Sequence, residues 1–192
     1  MAYSRIGGES RESFDEFEES FKMTEAMMGY LPNSHLIMAK NPELLEAFEK
    51  MVAVVFMSKH LERELISLIA LACSLSAGCK YCQAHTSHSA GRAGVDSEKI
   101  VDILEYNESD KFSDKEKAAL DLSFASGLTP NQTSQKHFNN LDKFFSKEAI
   151  VDIVSVISMF GFLNRWNDTF GTELEKEPKS FVEKSLNPLG WQ

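Results

Sequence analysis

Basic residues are few in this chain: 20 Lys and Arg stand against 29 Asp and Glu, for a formal charge of -9. There is no cationic surplus to neutralise phosphates, which excludes nucleic acid and an anionic membrane surface as expected partners. Long apolar runs are missing too. Residues Met1 to Gly8 lack the apolar centre of a signal peptide, and no later stretch gives about 18 uninterrupted apolar residues. A cytoplasmic protein is expected. Prolines number only five, so little interrupts a helix. Cysteines number only three, and in a reducing compartment a close pair is more often catalytic or metal-binding than structural. Cys79 and Cys82 are such a pair.

What is present reads as helix, and an all-α fold of one domain over 1–192 is expected. Phe14, Phe17 and Phe21 recur at helical spacing before Gly29, which predicts an N-terminal helix over 12–28. Asn41, Pro42 and Glu43 supply an N-cap, a first-turn proline and a favourable charge for a helix to about Phe56. Leu61 to Ala77 is apolar on nearly every face, as for a central buried helix, and Gly78 ends it. The next helix starts at the cysteine pair and runs to about Ala93, closing a core over about 60–93. C-terminal helices occupy 113–168: a capping box at Ser113 opens one, another covers about 133–144, and Ser146 caps a last long helix. That helix is again apolar all round between Ile150 and Leu163, a second buried centre. Two such helices are more than one chain of this size easily buries, so a homo-oligomer is expected, whether dimer, trimer or hexamer.

Positions 79, 82 and 85 lie one helical turn apart, so two thiols and an imidazole share a face at a helix N-terminus. The helix dipole and a nearby imidazole favour the nucleophilic thiolate, and a second thiol one turn away can resolve the oxidised sulfur as a disulfide. Cys82 and Cys79 are therefore the candidate redox pair, and His85 the candidate proton relay. The simpler alternative is a pair of inert core cysteines. A four-ligand zinc site from Cys79, Cys82, His85 and His88 is disfavoured, because those residues spread over about 13.5 Å of helix axis. No metal and no cofactor are expected. His88 points away from Cys82, and Cys73 lies inside the apolar helix as a packing residue. Glu64 stands in the charged run Glu62-Arg63-Glu64, either as a buried catalytic carboxylate or as an ordinary ion pair.

The segment from Leu65 through Cys79-Lys-Tyr-Cys82-Gln-Ala-His85-Thr resembles the core of the carboxymuconolactone decarboxylase and alkylhydroperoxidase-D superfamily. Gly29-Tyr-Leu-Pro-Asn33, Asn41-Pro-Glu-Leu-Leu45, Phe160 to Asp168 and Leu174-Glu175 look like its peroxidase-related branch. The resemblance implies a compact helical bundle, homo-oligomers, and thiol peroxidase chemistry in which Cys82 attacks peroxide and Cys79 resolves it. The family's relay glutamate falls on Ser67 here and its relay histidine on Thr86, so both relay positions are changed. Glu64 and His85 lie within a turn of those places and are the substitutes the sequence offers. Arg165, in Asn164-Arg165-Trp166-Asn167, either reaches the site or pairs with an acidic side chain while Trp166 packs.

The expected function is thus a thiol-dependent peroxidase or disulfide oxidoreductase, with a hydroperoxide as substrate and a dithiol or thioredoxin-like protein as reductant. Two other classes remain open: a cofactor-free decarboxylase or lactone-processing enzyme, and a non-catalytic oligomeric redox sensor.

Overall fold

The computed structural model describes residues 3–186 of the chain. Among these it is all-α, with ten helices: α1 (Glu18–Met28), α2 (Asn33–Met38), α3 (Pro42–Phe56), α4 (Arg63–Ala77), α5 (Lys80–Ala93), α6 (Ser97–Val101), α7 (Asp114–Gly127), α8 (Gln135–Leu141), α9 (Lys147–Phe170) and α10 (Lys176–Ser185). The caps stand where the sequence places them. Asn41 Oδ1 accepts the Leu44 N–H, Ser146 caps α9, and Ser113 with Glu116 forms a reciprocal capping box.

α4 is the organising element. Every residue from Leu65 to Ser74 is buried, because the helix is surrounded by α5, α7 and α9. One of its faces (Ile66, Ile69, Cys73) joins a core with Phe21, Leu45, Leu122, Ile153 and Val156. The opposite face (Leu68, Leu71, Ala72) joins a second core with Ile100, Ile103, Leu120 and Val182. A helix shared by two cores must be apolar all round, which is the pattern read in the sequence.

Three sequence expectations need adjustment. The N-terminal helix is broken: Arg11–Phe17 is a 3₁₀ segment in which Phe14 leaves helical geometry (φ -133°, ψ 48°), so that Phe14 and Phe17 both turn into the core. α9 is not buried on every face. Val151 is 62% exposed, and Val154 and Phe162 are exposed with it. This face of α9 and the Met51 and Val54 side of α3 line an open apolar groove of about 900 Å³. The length and apolar composition of α9 would also suit a membrane-crossing helix, yet its other face packs against α3, α4, α5 and α7. Finally, α2 and α10 are short helices that no sequence signal singled out. Both serve to carry residues to the site described next.

Candidate active site

Gly78 closes α4 in the left-handed region at φ 79°, a conformation that costs a residue with a Cβ roughly 1–2 kcal/mol. The reversal sends α5 back antiparallel along α4 and leaves Cys79 as the N-cap of α5. There the Cys79 Sγ accepts the Cys82 backbone N–H at 3.4 Å, so the positive end of the helix faces a sulfur. Both cysteines are reduced and buried, and they pack with Tyr81 against Leu163 and Leu174.

The Cys82 thiol is pushed well above the ordinary range. Burial is the main cause, followed by its hydrogen bond to Cys79 and the charge there; a hydrogen bond from Asn167 acts the other way. That donor comes from α9. Asn167 Nδ2 reaches the Leu163 carbonyl at 3.0 Å and the Cys82 Sγ at 3.6 Å. In the resting dithiol the proton is therefore held on Cys82.

His85 is buried beside the pair, but its ring nitrogens face neither thiol. Nε2 lies 2.6 Å from Glu175 Oε2, and Nδ1 lies 3.0 Å from the Tyr30 hydroxyl. Glu175 also accepts from the Tyr81 hydroxyl at 2.8 Å and from the Asn33 N–H. Burial disfavours the Glu175 carboxylate, but the donors His85, Asn33 and Tyr81 outweigh it and hold the carboxyl below its usual range. A carboxylate with three donors fixes the tautomer: Nε2 carries hydrogen, and Nδ1 accepts from Tyr30. Tyr30 is pushed upward by burial and by Glu175, so it keeps the proton it donates. The Tyr81 ring stacks on His85 at 4.1 Å between centroids and joins this polar cluster to the thiols.

Of the residues proposed from sequence, Cys79, Cys82 and His85 come together and Glu64 does not. In an antiparallel hairpin, residues equidistant from the turn are neighbours. Glu64, at the start of α4, therefore lies beside Gly94 at the end of α5, exposed and about 20 Å along the axis from the cysteines. Its intended place is filled by Glu175, the residue preceding α10. At the changed family positions, Ser67 is buried in α4, and Thr86 donates its hydroxyl to the Cys82 carbonyl at 2.7 Å. His88 is half-buried between the rings of Tyr30 and Phe181. Cys73 is buried, its thiol pushed up to about 12 by desolvation. Trp166 packs between Phe162 and Phe170. Arg165 is exposed and makes no ion pair among the described residues.

Tyr30, Asn33, Asn167 and Glu175 were missed as functional residues because each is separated from the cysteines by at least 46 positions. The one signal that marked them is the resemblance: all four lie in segments that look like the peroxidase-related branch.

His35, on α2, adds a pH dependence. Burial, with a smaller contribution from His85, pushes its imidazole down to about 4 from 6.5, and its Nδ1 has no hydrogen-bond partner among the described residues. The folded protein keeps this ring neutral, whereas the unfolded chain binds a proton as pH falls below 6.5. Stability is therefore full above that value and is lost as pH falls toward 4, by about 3 kcal/mol in total. Urea unfolding from pH 7 to 4.5 should show this loss in the wild type and a much flatter profile in His35→Leu. Parallel profiles would refute it.

The fold has recognisable relatives. Residues 42–123 match the carboxymuconolactone decarboxylase family. The protein YdfG of Bacillus subtilis (strain 168) is 30% identical over 126 residues, which are 62% of this chain and 83% of YdfG. A crystal structure of the debrominase Bmp8, as a cysteine-to-alanine variant in complex with 2,3,4-tribromopyrrole, is 34% identical. It superposes with a TM-score of 0.87 over 92% of this chain and 95% of Bmp8. A peroxidase-related protein with an alkylhydroperoxidase core from Ralstonia eutropha JMP134 shares the fold, with a TM-score of 0.82 at 20% identity over 95% and 96% of the two chains. With the all-α hairpin core and the placement of Cys79 and Cys82 at its turn, these likenesses establish that the chain belongs to the carboxymuconolactone decarboxylase and alkylhydroperoxidase-D-like superfamily.

Proposed function

We propose that this protein is a dithiol oxidoreductase that reduces small electrophiles with Cys82 and Cys79, hydroperoxides being its substrate class. The observation that carries this reading is the reduced pair at the N-terminus of α5, one turn apart, with an amide donor on Cys82 and a buried His85–Glu175 pair alongside. Cys82 attacks the terminal oxygen of R–O–O–H; the O–O bond breaks, giving Cys82–SOH and R–OH. The thiol proton ends on the departing alkoxide. Cys79 then attacks the sulfenic sulfur, releasing water and leaving a disulfide, which an external dithiol or thioredoxin-like protein reduces. Cys82 is given the first step on the family resemblance; its sulfur takes an N–H from Asn167 on α9, while the Cys79 sulfur caps the helix. His85 and Glu175 form the acid–base pair beside the thiols, with the Tyr81 ring stacked on the imidazole.

The whole-chain likeness to a debrominase favours a second reading on the same dithiol. Cys82–SH and an aryl bromide would give Ar–H and Cys82–S–Br, and Cys79–SH would then displace bromide as HBr to form the same disulfide. A decarboxylase reading has only the family name behind it, since that chemistry needs no redox pair.

Counting thiols in denaturant tests both redox readings. One equivalent of cumene hydroperoxide, added anaerobically, should lower the count from three to one per chain, because Cys73 is not a partner. The same outcome with 2,3,4-tribromopyrrole and not with peroxide would select the second reading. Three thiols surviving both reagents would refute the dithiol mechanism.

A further inference from the structure

Both sulfurs of the dithiol are closed to solvent: Cys79 is 0% and Cys82 3% exposed. Reduction of a disulfide between them passes through a mixed disulfide, so the sulfur of the reductant must touch one of the two, and the electrophile must touch Cys82 before it. Some part of the cover has to move.

The groups packed on the pair differ in how firmly they are held. Leu163 and Asn167 meet it from α9, a 24-residue helix that also packs against α3, α4, α5 and α7. Leu174 meets it from the non-helical stretch 171–175 between α9 and α10. That stretch is pinned at both ends. Gly171 closes α9 with its N–H on the Asp168 carbonyl, and the Thr172 N–H bonds the Asn167 carbonyl at 3.1 Å. Glu175 is fixed by His85, Tyr81 and the Asn33 N–H, and α10 behind it is seated by the buried Pro178 and Val182.

Between the pins the hold is slight. Glu173 is exposed; its N–H reaches the Tyr3 carbonyl at 2.9 Å and its carbonyl accepts from Asn33 Nδ2 at 2.9 Å. The main chain of Leu174 makes no hydrogen bond among the described residues. Water replaces both Glu173 bonds readily at an exposed position, so turning these two residues outward costs little beyond the contacts of the Leu174 side chain.

We propose that Glu173 and Leu174 form a flap over the dithiol, turning about Thr172 and Glu175, and that Leu174 is the plug it lifts from Cys79 and Cys82 to admit the electrophile and then the sulfur of the reductant. Because Glu175 is a pivot and not the moving part, the His85–Glu175 pair stays assembled while the flap is open. The proposal rests on the dithiol being the reactive centre. Such an opening exposes few side chains, and this separates it from unfolding, because denaturant favours an opening in proportion to the surface it exposes.

Thiol alkylation in the native full chain tests this. Wild-type protein is labelled with N-ethylmaleimide at urea concentrations below its unfolding transition, and the label on each cysteine is read by peptide mapping. The Cys79 and Cys82 pair should react at a rate that hardly changes with urea. Cys73 belongs to the first core, which Leu174 does not join, so its labelling should climb steeply with urea. Leu174→Ala should raise the urea-independent rate at the pair about tenfold, as expected for cutting a half-buried leucine back to a methyl group, and leave Cys73 without such a component. One steep urea slope shared by all three cysteines overturns the flap, since only unfolding would then reach the pair. A urea-independent rate unchanged in Leu174→Ala overturns Leu174 as the plug. Loss of stability in the variant cannot imitate either result, because unfolding enters only through the urea-dependent part. Urea-independent labelling of the pair, together with three thiols surviving both peroxide and tribromopyrrole, would leave the flap standing and refute only the oxidoreductase reading.

Discussion

Cys82→Ser is expected to abolish hydroperoxide turnover, whereas Cys79→Ser should still consume one equivalent and stop at a Cys82 sulfenic acid that a dimedone-type reagent traps. The asymmetry follows from the proposed order of events: without Cys82 no S–O bond forms, and without Cys79 none is resolved. Its magnitude is the loss of a covalent nucleophile, so residual turnover in Cys82→Ser should fall to the background of free peroxide. The hydrogen bond of Cys82 to Cys79 and the helix end at Cys79 make the opposite order a physical competitor. A dimedone adduct on Cys79 in Cys82→Ser, with none on Cys82 in Cys79→Ser, would exchange the two roles.

Glu175→Ala should be the most damaging change outside the cysteines. It removes the acceptor of three buried donors at once: His85 Nε2–H, the Tyr81 hydroxyl and the Asn33 N–H. Each orphaned donor costs about 1–3 kcal/mol, so the variant should lose about 3 kcal/mol or more, measured by urea unfolding at pH 7. Glu175→Gln keeps the shape and one acceptor oxygen but loses the charge that fixes the His85 tautomer. It should fold and slow the oxidation of Cys82 by roughly a hundred- to ten-thousandfold, the range for an acid–base group. Stopped-flow thiol oxidation would decide: a wild-type rate in Glu175→Gln would show that the pair is only structural. Because the Glu175 carboxyl is held below its usual value, its contribution to stability is present above about pH 4.5 and is lost as pH falls through the lower, folded-state value. Glu175→Gln should therefore also flatten the acid limb of the stability curve.

The local chemistry was legible in the chain to a useful depth. Asn41, Ser113 and Ser146 declare helix starts through side-chain oxygens that reach backbone N–H groups within three residues, and such bonds need nothing from the rest of the fold. The continuous apolar run from Leu65 marks α4 as central for an equally local reason: no face of it tolerates water. Cys79, Cys82 and His85 are brought onto one helix by spacing alone. Even so, spacing could not say where His85 aims its ring.

Errors arose where position depends on another element. Glu64 is close to the family's relay position in sequence, yet the direction of α4 carries it away from the thiols. α9 looked buried on all sides because hydrophobicity reports what a surface prefers, and only its neighbours decide whether that preference is met. Val151 and, to a lesser extent, Val154 stay exposed among the described residues.

The sequence by itself determined the all-α class, the helix caps, the buried α4 and the placement of two thiols one turn apart at a helix start. These depend on bonds within a turn and on burial patterns of fixed period. Tertiary structure alone decided that Glu175 holds His85, that Tyr30 sets its tautomer, and that Asn167 reaches Cys82. Those contacts join residues 55 to 90 positions apart, and the entropy of closing such loops is met only by cooperative packing of the helices between them.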